Sequence, residues 1–259
     1  MSAQAHSFET GLVLSGGAAK GYAHLGALAA LYEAGYRFNI ISGTSVGAII
    51  GALLADGHTP AEIKNIFDEE KNFNLVKFKW SSPGLLSSAG LKKALKKHLR
   101  AQSFEELNLP LWVAATDFSM GKVRYINKGE LILPILASCA IPMLFEPIRY
   151  DKRLFVDGGL TDNLPASPIH GQCNQLVGIN VNPVGQIEKI EGWMQSMERI
   201  LNIAIHNNVA KSIPMCDLYI EPALMESYHL FSLDKGEEMY EIGYAATKQA
   251  LANKSNVFN

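Results

Sequence analysis

Two segments that each read as strand, glycine-containing turn and helix constrain the fold of this chain most. They are GLVLSGGAAKG at 11–21 and FNIISGTSVG at 38–47, and apolar helix-like sequence follows both. Further strand-like runs, LWVAAT at 111–116 and LVGINV at 176–181, alternate with helical patterns along the chain. Such alternation predicts an α/β fold class, a three-layer α/β/α arrangement around a mostly parallel central sheet. The carboxyl ends of the strands are then the place to look for a functional site.

The length and composition are those of one α/β domain with a large core. The chain has 259 residues, 48% of them apolar and 19% charged, with a formal net charge of −2. We predict an N-terminal tail at 1–10 and a single domain at 11–259, with the motifs in 11–165 and the C-terminal completion of the fold in 166–259. The nearly neutral composition predicts no nucleic-acid partner.

The N-terminus and the cysteines predict a cytoplasmic protein without a resident cofactor. MSAQAHSFET lacks the basic start and apolar core of a signal peptide. Cys139, Cys173 and Cys216 are odd in number, widely spaced and outside any C-x-x-C motif. A disulfide framework or a structural metal is therefore not expected.

The first glycine-rich turn resembles a phosphate-binding loop but departs from both nucleotide fingerprints. Gly16 and Gly21 have the spacing of a Walker A loop, yet Tyr22 and Ala23 follow where lysine and serine or threonine are needed. Ala18 interrupts the G-x-G-x-x-G pattern of dinucleotide-binding proteins. A turn at a helix N-terminus still presents backbone N–H groups to an anion, so the loop is predicted to bind an anion other than a nucleotide phosphate.

The second turn has the G-x-S-x-G pattern of a nucleophile elbow. Small residues such as Gly43 and Gly47 let the chain turn sharply and project the Ser45 hydroxyl at the end of a strand. The alternative is a glycine-lined turn with an incidental serine. The strand before the turn and the helix after it favour the nucleophile.

A serine nucleophile needs a base, and the sequence offers two arrangements. Asp157 follows a short apolar strand and precedes two glycines in FVDGGLTDNLP, so its carboxylate is able to take the Ser45 proton directly. A triad of Ser45, Asp157 and a histidine is the alternative, with His170, His206 or His229 as the third member. His24, on the first helix, is interpreted as a packing or surface residue.

One segment, 71–100, carries an excess of positive charge. It holds eight basic residues and no carboxylate, and Leu91, Leu95 and Leu99 recur along one face of GLKKALKKHL. The preferred interpretation is a surface helix packed by its leucines, with a solvated lysine face. The alternative is a cap over the site that contacts an anionic membrane from its inner, cytoplasmic side. The basic residues are Lys71, Lys77, Lys79, Lys92, Lys93, Lys96, Lys97 and Arg100.

Together, these segments resemble the patatin-like phospholipase family. The matching motifs are SGGAAKG (15–21), GTSVG (43–47), ASCAIPMLFEP (137–147) and DGGLTDNLP (157–165), in the family's order. Weaker matches are GLLSSAGLKKAL (84–95) and ATDFSMGKVRYINKG (115–129).

The resemblance implies a serine acyl hydrolase that acts on phospholipids, lysophospholipids or neutral acyl esters without a metal. It implies Ser45 as nucleophile and Asp157 as base, and backbone N–H groups around Gly16, Gly17 and Ala18 as an oxyanion hole. Two alternatives are an acyl-transferring enzyme with the same dyad and a lipid-binding regulatory protein with weak turnover. The residues expected to support the motifs are Lys20, Gly21, Gly43, Gly47, Gly158 and Gly159.

Ala18 is the informative departure from the family pattern, which usually has a third glycine there. If this position requires a positive φ, alanine strains the loop by about 1 kcal/mol. We expect the loop to tolerate the methyl group.

Overall fold

A mixed sheet of eight strands runs through the part of the chain that the structure describes. The computed structural model describes residues 7–72, 80–82, 85–186, 189, 192–229 and 232–256. The sheet strands are β1 (Phe8–Leu14), β2 (Ile40–Thr44), β5 (Leu111–Asp117), β6 (Lys122–Ile126), β7 (Ile148–Tyr150), β8 (Arg153–Asp157), β9 (Cys173–Ile179) and β10 (Leu218–Ile220). A separate antiparallel pair consists of β3 (Trp80–Ser82) and β4 (Leu85–Leu86).

Five neighbouring strands of the sheet are parallel, in the order β10-β9-β1-β2-β5. β5 continues beyond the end of β2 and pairs antiparallel with β6 and β8, and β7 pairs antiparallel with β8. The predicted fold class, with its mostly parallel sheet, is confirmed. The antiparallel strands are at the β5 end of the sheet.

Helices cover both faces of the sheet, which gives the three predicted layers. Leu12 and Leu14 of β1 point into the main core, whereas Val13 points to the other face and packs in a cluster with Leu164 and Val209. This alternation along a strand is what a sheet buried on both faces requires. The helices are α1 (Gly21–Glu33), α2 (Val46–Ala55), α3 (Pro60–Asn72), α4 (Ala89–His98), α5 (Ile132–Ser138), α6 (Gly192–Val209) and α7 (Gly236–Asn256).

The structure differs from the sequence prediction at the N-terminus. The predicted tail at 1–10 extends too far, because Phe8 and Thr10 already belong to β1 and pair with Cys173 and Gln175 of β9. This edge of β1 is paired along its whole length, so the chain enters the sheet before the apolar run GLVL begins. Residues 1–6 lie outside the described part of the chain.

Candidate active site

The sheet register brings the ends of β2 and β8 together. Thr44 of β2 pairs with Ala114 of β5, and Asp157 of β8 pairs with the next residue, Ala115. β6 pairs with residues Val113–Asp117 along the other edge of β5, so β2 and β8 share one edge. They approach along that edge from opposite directions, and their carboxyl ends meet. Ser45 and Asp157, far apart in sequence, are therefore neighbours.

The turn after β2 has the geometry that its sequence predicts. Ser45 is buried, with φ 53° and ψ −123°, and α2 begins at the next residue. Its N–H donates to the Ser138 hydroxyl at 2.8 Å, and that hydroxyl donates to Ala114 O at 2.6 Å. A non-glycine residue in this region of backbone space costs about 1–3 kcal/mol, a cost often found at functional sites.

Two glycines make the sharp turn possible because backbone crosses directly over them. A Cβ at Gly43 would lie 2.4 Å from Gly47 O, and a Cβ at Gly47 would lie 2.4 Å from Leu14 O. Neither position has room for a side chain. These contacts fix the strand and the helix at the angle that presents Ser45.

Asp157 is buried beside Ser45 at the end of β8. Its Oδ1 accepts the Gly159 N–H at 2.8 Å, and Asp157 lines one small cavity together with Ser45. Burial raises the pKa of Asp157 to about 6, and the Gly159 N–H and the nearby Ser45 hydroxyl partly offset that rise. The carboxylate is therefore basic enough to accept a proton and still ionised at neutral pH.

A third side chain at the site, Cys139, was not among the predicted site residues. Cys139 lines a cavity together with Ser45. Burial and the nearby Asp157 charge raise the pKa of the thiol well above its usual range, so it stays protonated. In the sequence, the only indication that Cys139 belongs to the site is its place in the motif ASCAIP.

The glycine-rich loop lies directly against Ser45. A Cβ at Gly16 would be 3.2 Å from Ser45 Cβ, and Gly17 and Ala18 line a small cavity together with Ser45 and Asp157. The Gly16 N–H donates to Asn163 O at 3.2 Å, so in this structure it is not directed at an anion, contrary to the expectation for Gly16. Within the described residues, the N–H groups of Gly17 and Ala18 have no hydrogen-bond partner.

Buried polar side chains hold the glycine-rich loop by hydrogen bonds to its carbonyl groups. His24 Nε2 donates to Ser15 O at 2.9 Å, and the Asn182 amide donates to Gly16 O. Burial lowers the pKa of His24 to about 4, so its ring is neutral. His24 is thus a packing residue, one of the two roles predicted for it. Asn163 and Asn182 were not among the predicted site residues: Asn163 lies in the motif DGGLTDNLP, whereas no local pattern distinguishes Asn182.

The other motif-supporting residues have structural roles around the loop. The Lys20 side chain is buried and its Nζ donates to Met225 O at 3.0 Å. A Cβ at Gly21 would lie 2.5 Å from Val46 Cγ2, so Gly21 lets α1 approach α2 closely. A Cβ at Gly158 would lie 2.3 Å from Ala114 O, and one at Gly159 would lie 3.1 Å from Asp157 Oδ1. The chain can turn away after Asp157 only because both residues are glycine.

The structure does not bring a predicted histidine to Ser45. His170, His206 and His229 are all exposed, and none of them lines either cavity at Ser45. A triad that includes one of them is therefore not formed. The arrangement that remains is the direct pair of Ser45 and Asp157.

A second, apolar cavity of about 200 Å³ extends from Ser45 between α2, α3 and α4. Its far part reaches Glu70 and His98, whose side chains are hydrogen-bonded at 2.7 Å. Side chains that line its walls are Val46, Ile49 and Leu53 of α2, Ile66 and Phe67 of α3, and Leu91, Ala94 and Leu95 of α4.

The basic helix α4 is therefore a wall of the cavity as well as a surface helix. Lys92, Lys93 and Lys96 are exposed on its outer side. Lys97 instead forms ion pairs with Glu69 at 2.6 Å and Glu70 at 3.2 Å, which tie α4 to α3. Of the remaining predicted basic residues, Lys77 and Lys79 lie outside the described part of the chain.

Ala18 has φ 48°, so this position does require a positive φ, the case in which alanine was expected to strain the loop. We expect Ala18→Gly to change the free energy of unfolding by less than about 1 kcal/mol, because relief of strain is offset by greater freedom of the unfolded chain. Ester turnover should stay within about threefold of wild type, a change of well under 1 kcal/mol in the barrier. A rise in kcat of tenfold or more would instead show that the methyl group distorts the loop.

The site combines a strained serine turn with a buried aspartate at the edge of an α/β sheet. Residues 12–170 match the model of the patatin-like phospholipase family, and the chain belongs to that family.

Relatives of the chain include proteins of different length. An NTE family protein of Mycobacterium bovis is 32% identical over 212 residues, which cover 78% of this chain and 59% of that protein. The lysophospholipase nte1 of Aspergillus fumigatus is 27% identical over 93% of this chain but only 18% of its own length. VipD from Legionella pneumophila shares the fold, with a TM-score of 0.58 and 16% identity over 96% of this chain and 67% of VipD. This chain thus spans less than two thirds of the mycobacterial relative.

The described residues contain no cluster of three or more His, Cys, Asp or Glu side chains that is suited to a metal ion. Within the same ranges, no helix is long and apolar enough to cross a membrane.

Proposed function

We propose that this protein is a serine lipid acyl hydrolase that cleaves fatty-acyl esters of the phospholipid or lysophospholipid type. The observation that carries the proposal is that Ser45 and buried Asp157 line one small cavity, and that Ser45 also lines an adjoining apolar cavity. A nucleophile and base in this position suit an ester whose acyl chain is long and apolar. The names of the family and of the fungal relatives agree with lipid ester chemistry.

In the first step, Ser45 Oγ attacks the ester carbonyl carbon while Asp157 accepts the hydroxyl proton. The carbonyl oxygen becomes an oxyanion that the N–H groups of Gly17 and Ala18 stabilise, a contribution of a few kcal/mol in comparable sites. Collapse of the intermediate breaks the bond to the alcohol oxygen. Asp157 returns its proton to that oxygen, and the alcohol leaves.

In the second step, water hydrolyses the acyl-enzyme. Asp157 takes a proton from the water molecule as its oxygen attacks the acyl carbon, and the same N–H groups hold the new oxyanion. The bond to Ser45 Oγ then breaks, the proton passes to Ser45, and the fatty acid is released. His24 and Asn182 keep the loop in place through its carbonyl groups and touch no reacting atom.

Product analysis tests this function against its alternatives. Purified protein is incubated with a lysophospholipid, and free fatty acid and newly acylated lipid are quantified. Release of fatty acid as the main product supports hydrolysis, and transfer of the acyl group to a second lysophospholipid would support an acyltransferase. Vesicle binding without either product would support a lipid-binding regulatory protein.

The apolar cavity predicts a dependence on acyl-chain length that a substitution in α4 should change. Ala94→Phe fills the cavity, so kcat/KM for long-chain esters should fall by about fourfold for each methylene that is excluded. Turnover of an acetyl or butyryl ester should be unchanged. Ala89→Phe, at the exposed start of α4, is the matched control. Equal losses on long and short chains would contradict binding of the acyl chain there.

The predicted membrane contact of the basic segment is tested at the exposed lysines. Glutamate at Lys92, Lys93 and Lys96 should lower activity on anionic vesicles by about 100-fold or more, since each basic residue near such a surface contributes about 1 kcal/mol. Activity on a soluble short-chain ester should not change. Lys97 is left intact because its ion pairs hold α4 to α3. Unchanged activity on anionic vesicles would reject this contact.

A further inference from the structure

The outer side of α6 exposes three large apolar side chains. Trp193, Ile200 and Ile203 are 64%, 67% and 46% exposed. Their spacing of seven and three residues places them on one side of the helix. Ser196 and Asn207, the polar residues on the same side by this spacing, are uncharged. Single exposed apolar residues are common, but several on one helix face form a patch.

The inner side of the same helix is a wall of the site. Leu201 and Ile205 line the small cavity that contains Ser45 and Asp157. Asn208 donates to Gly159 O at 2.8 Å and accepts the Asn163 N–H at 2.8 Å, which fixes α6 to the turn after Asp157. The exposed face is thus separated from the reacting groups by the thickness of one helix.

Met143 adjoins this helix and is exposed in an unfavourable backbone conformation. It is 61% exposed and has φ 66°. Its neighbour Pro142 lines the small cavity, and its neighbour Leu144 packs against Met197 of α6. A strained turn that presents an apolar side chain to solvent is a reason to seek a function for it.

We propose that Trp193, Ile200, Ile203 and Met143 form a docking face for a lipid surface. The proposal rests on the proposed function, because a lipid ester has to pass from an aggregate into the cavity at Ser45. Because the inner side of the same helix lines the small cavity at Ser45, docking through its outer face brings the lipid surface close to the site. Tryptophan, with its apolar ring and polar N–H, is enriched at membrane–water interfaces. An uncharged face binds zwitterionic vesicles, whereas the lysines of α4 act only on anionic ones.

The test measures binding to phosphatidylcholine vesicles by co-sedimentation, with Ser45→Ala as the background so that no lipid is consumed. The double variant Ile200→Asn, Ile203→Asn should bind about tenfold less tightly or weaker, because two apolar side chains no longer leave water. When Ser45 is left intact, the double variant should retain turnover of a soluble short-chain ester. Ile213→Asn is the matched control: Ile213 is 38% exposed and precedes the start of β10, at the opposite end of the parallel strands from Ser45.

Met143→Gly separates lipid docking from misfolding. Glycine relieves the strain at φ 66°, so the variant should melt no lower than wild type and yet bind vesicles more weakly. Undiminished vesicle binding by the double variant would overturn the proposal. So would a wild-type dimer that the double variant converts to a monomer, since the face would then bind a second copy. Normal vesicle binding by a wild type without ester turnover would reject the hydrolase and leave the docking face standing.

Discussion

Asp157→Asn should abolish ester turnover and at the same time stabilise the protein. The amide cannot accept the Ser45 proton, so kcat/KM should fall by at least about 1,000-fold. Asparagine keeps an oxygen for the Gly159 N–H but carries no charge to bury. Because burial raises the pKa of the carboxyl from about 3.9 in the unfolded chain to about 6, ionised Asp157 costs about 3 kcal/mol of stability, as an upper estimate.

The pH dependence gives this prediction a definite sign. The folded protein binds the Asp157 proton more tightly than the unfolded chain, so stability from this group is present below about pH 4 and is lost as pH rises through 6. Wild type and Asp157→Asn should have similar free energies of unfolding at pH 4, and the variant should be more stable above pH 6. Turnover by wild type should fall about tenfold per pH unit below pH 6, as the base is protonated.

Asp162→Asn is the matched control for the activity loss. Asp162 is also buried and its pKa is also raised by burial, but it lines neither cavity at Ser45. It accepts the Tyr125 hydroxyl at 2.6 Å, a contact that an amide oxygen preserves. Turnover by this variant should be nearly normal. Activity retained in Asp157→Asn, or lost equally in both variants, would reject Asp157 as the base.

Ser45→Ala and Ser45→Gly should be equally inactive but unequally stable. Both lack the nucleophile, so turnover should fall by about four orders of magnitude or more, and labelling by a fluorophosphonate should disappear. Ser45 has φ 53° and ψ −123°, a conformation that glycine adopts without strain. The glycine variant should therefore be more stable than the alanine variant by about 1 kcal/mol in thermal or denaturant unfolding.

Ser42→Ala is the control for these two variants. Ser42 is three residues earlier in β2 and is fully buried, and its hydroxyl has no hydrogen-bond partner among the described residues. Its removal should leave labelling and turnover intact and should not lower stability. Covalent labelling that persists in Ser45→Ala would show that another residue is the nucleophile.

The local sequence was sufficient for the strand and helix on either side of each turn and for the sharp turn at Ser45, but not for the start of β1 or for β7. GTSVG predicts a sharp turn at Ser45 because only glycine fits at positions 43 and 47, where the backbone of residues 47 and 14 passes close by. The positive φ considered for Ala18 is also present, at 48°. The family followed from four ordered motifs and is confirmed. The roles of Ser45 and Asp157 stay predictions until the variants are measured.

The prediction for Gly16 failed for a reason that no local pattern contains. Its N–H is taken by Asn163 O, which belongs to the segment after β8. Likewise, the histidine alternatives were open in the sequence because spacing does not say which residues reach Ser45. The folded chain leaves all three on the surface and places Cys139 at the site instead.

The sequence by itself determined the fold class and the family, because apolar periodicity and small residues at turns act over short stretches of chain. Tertiary structure alone decided that Ser45 meets Asp157, since that contact depends on β2 and β8 sharing one edge of β5. It also decided that α4 lines an apolar cavity and that α6 exposes apolar side chains. These features arise from the packing of distant segments, and packing is set by the whole core.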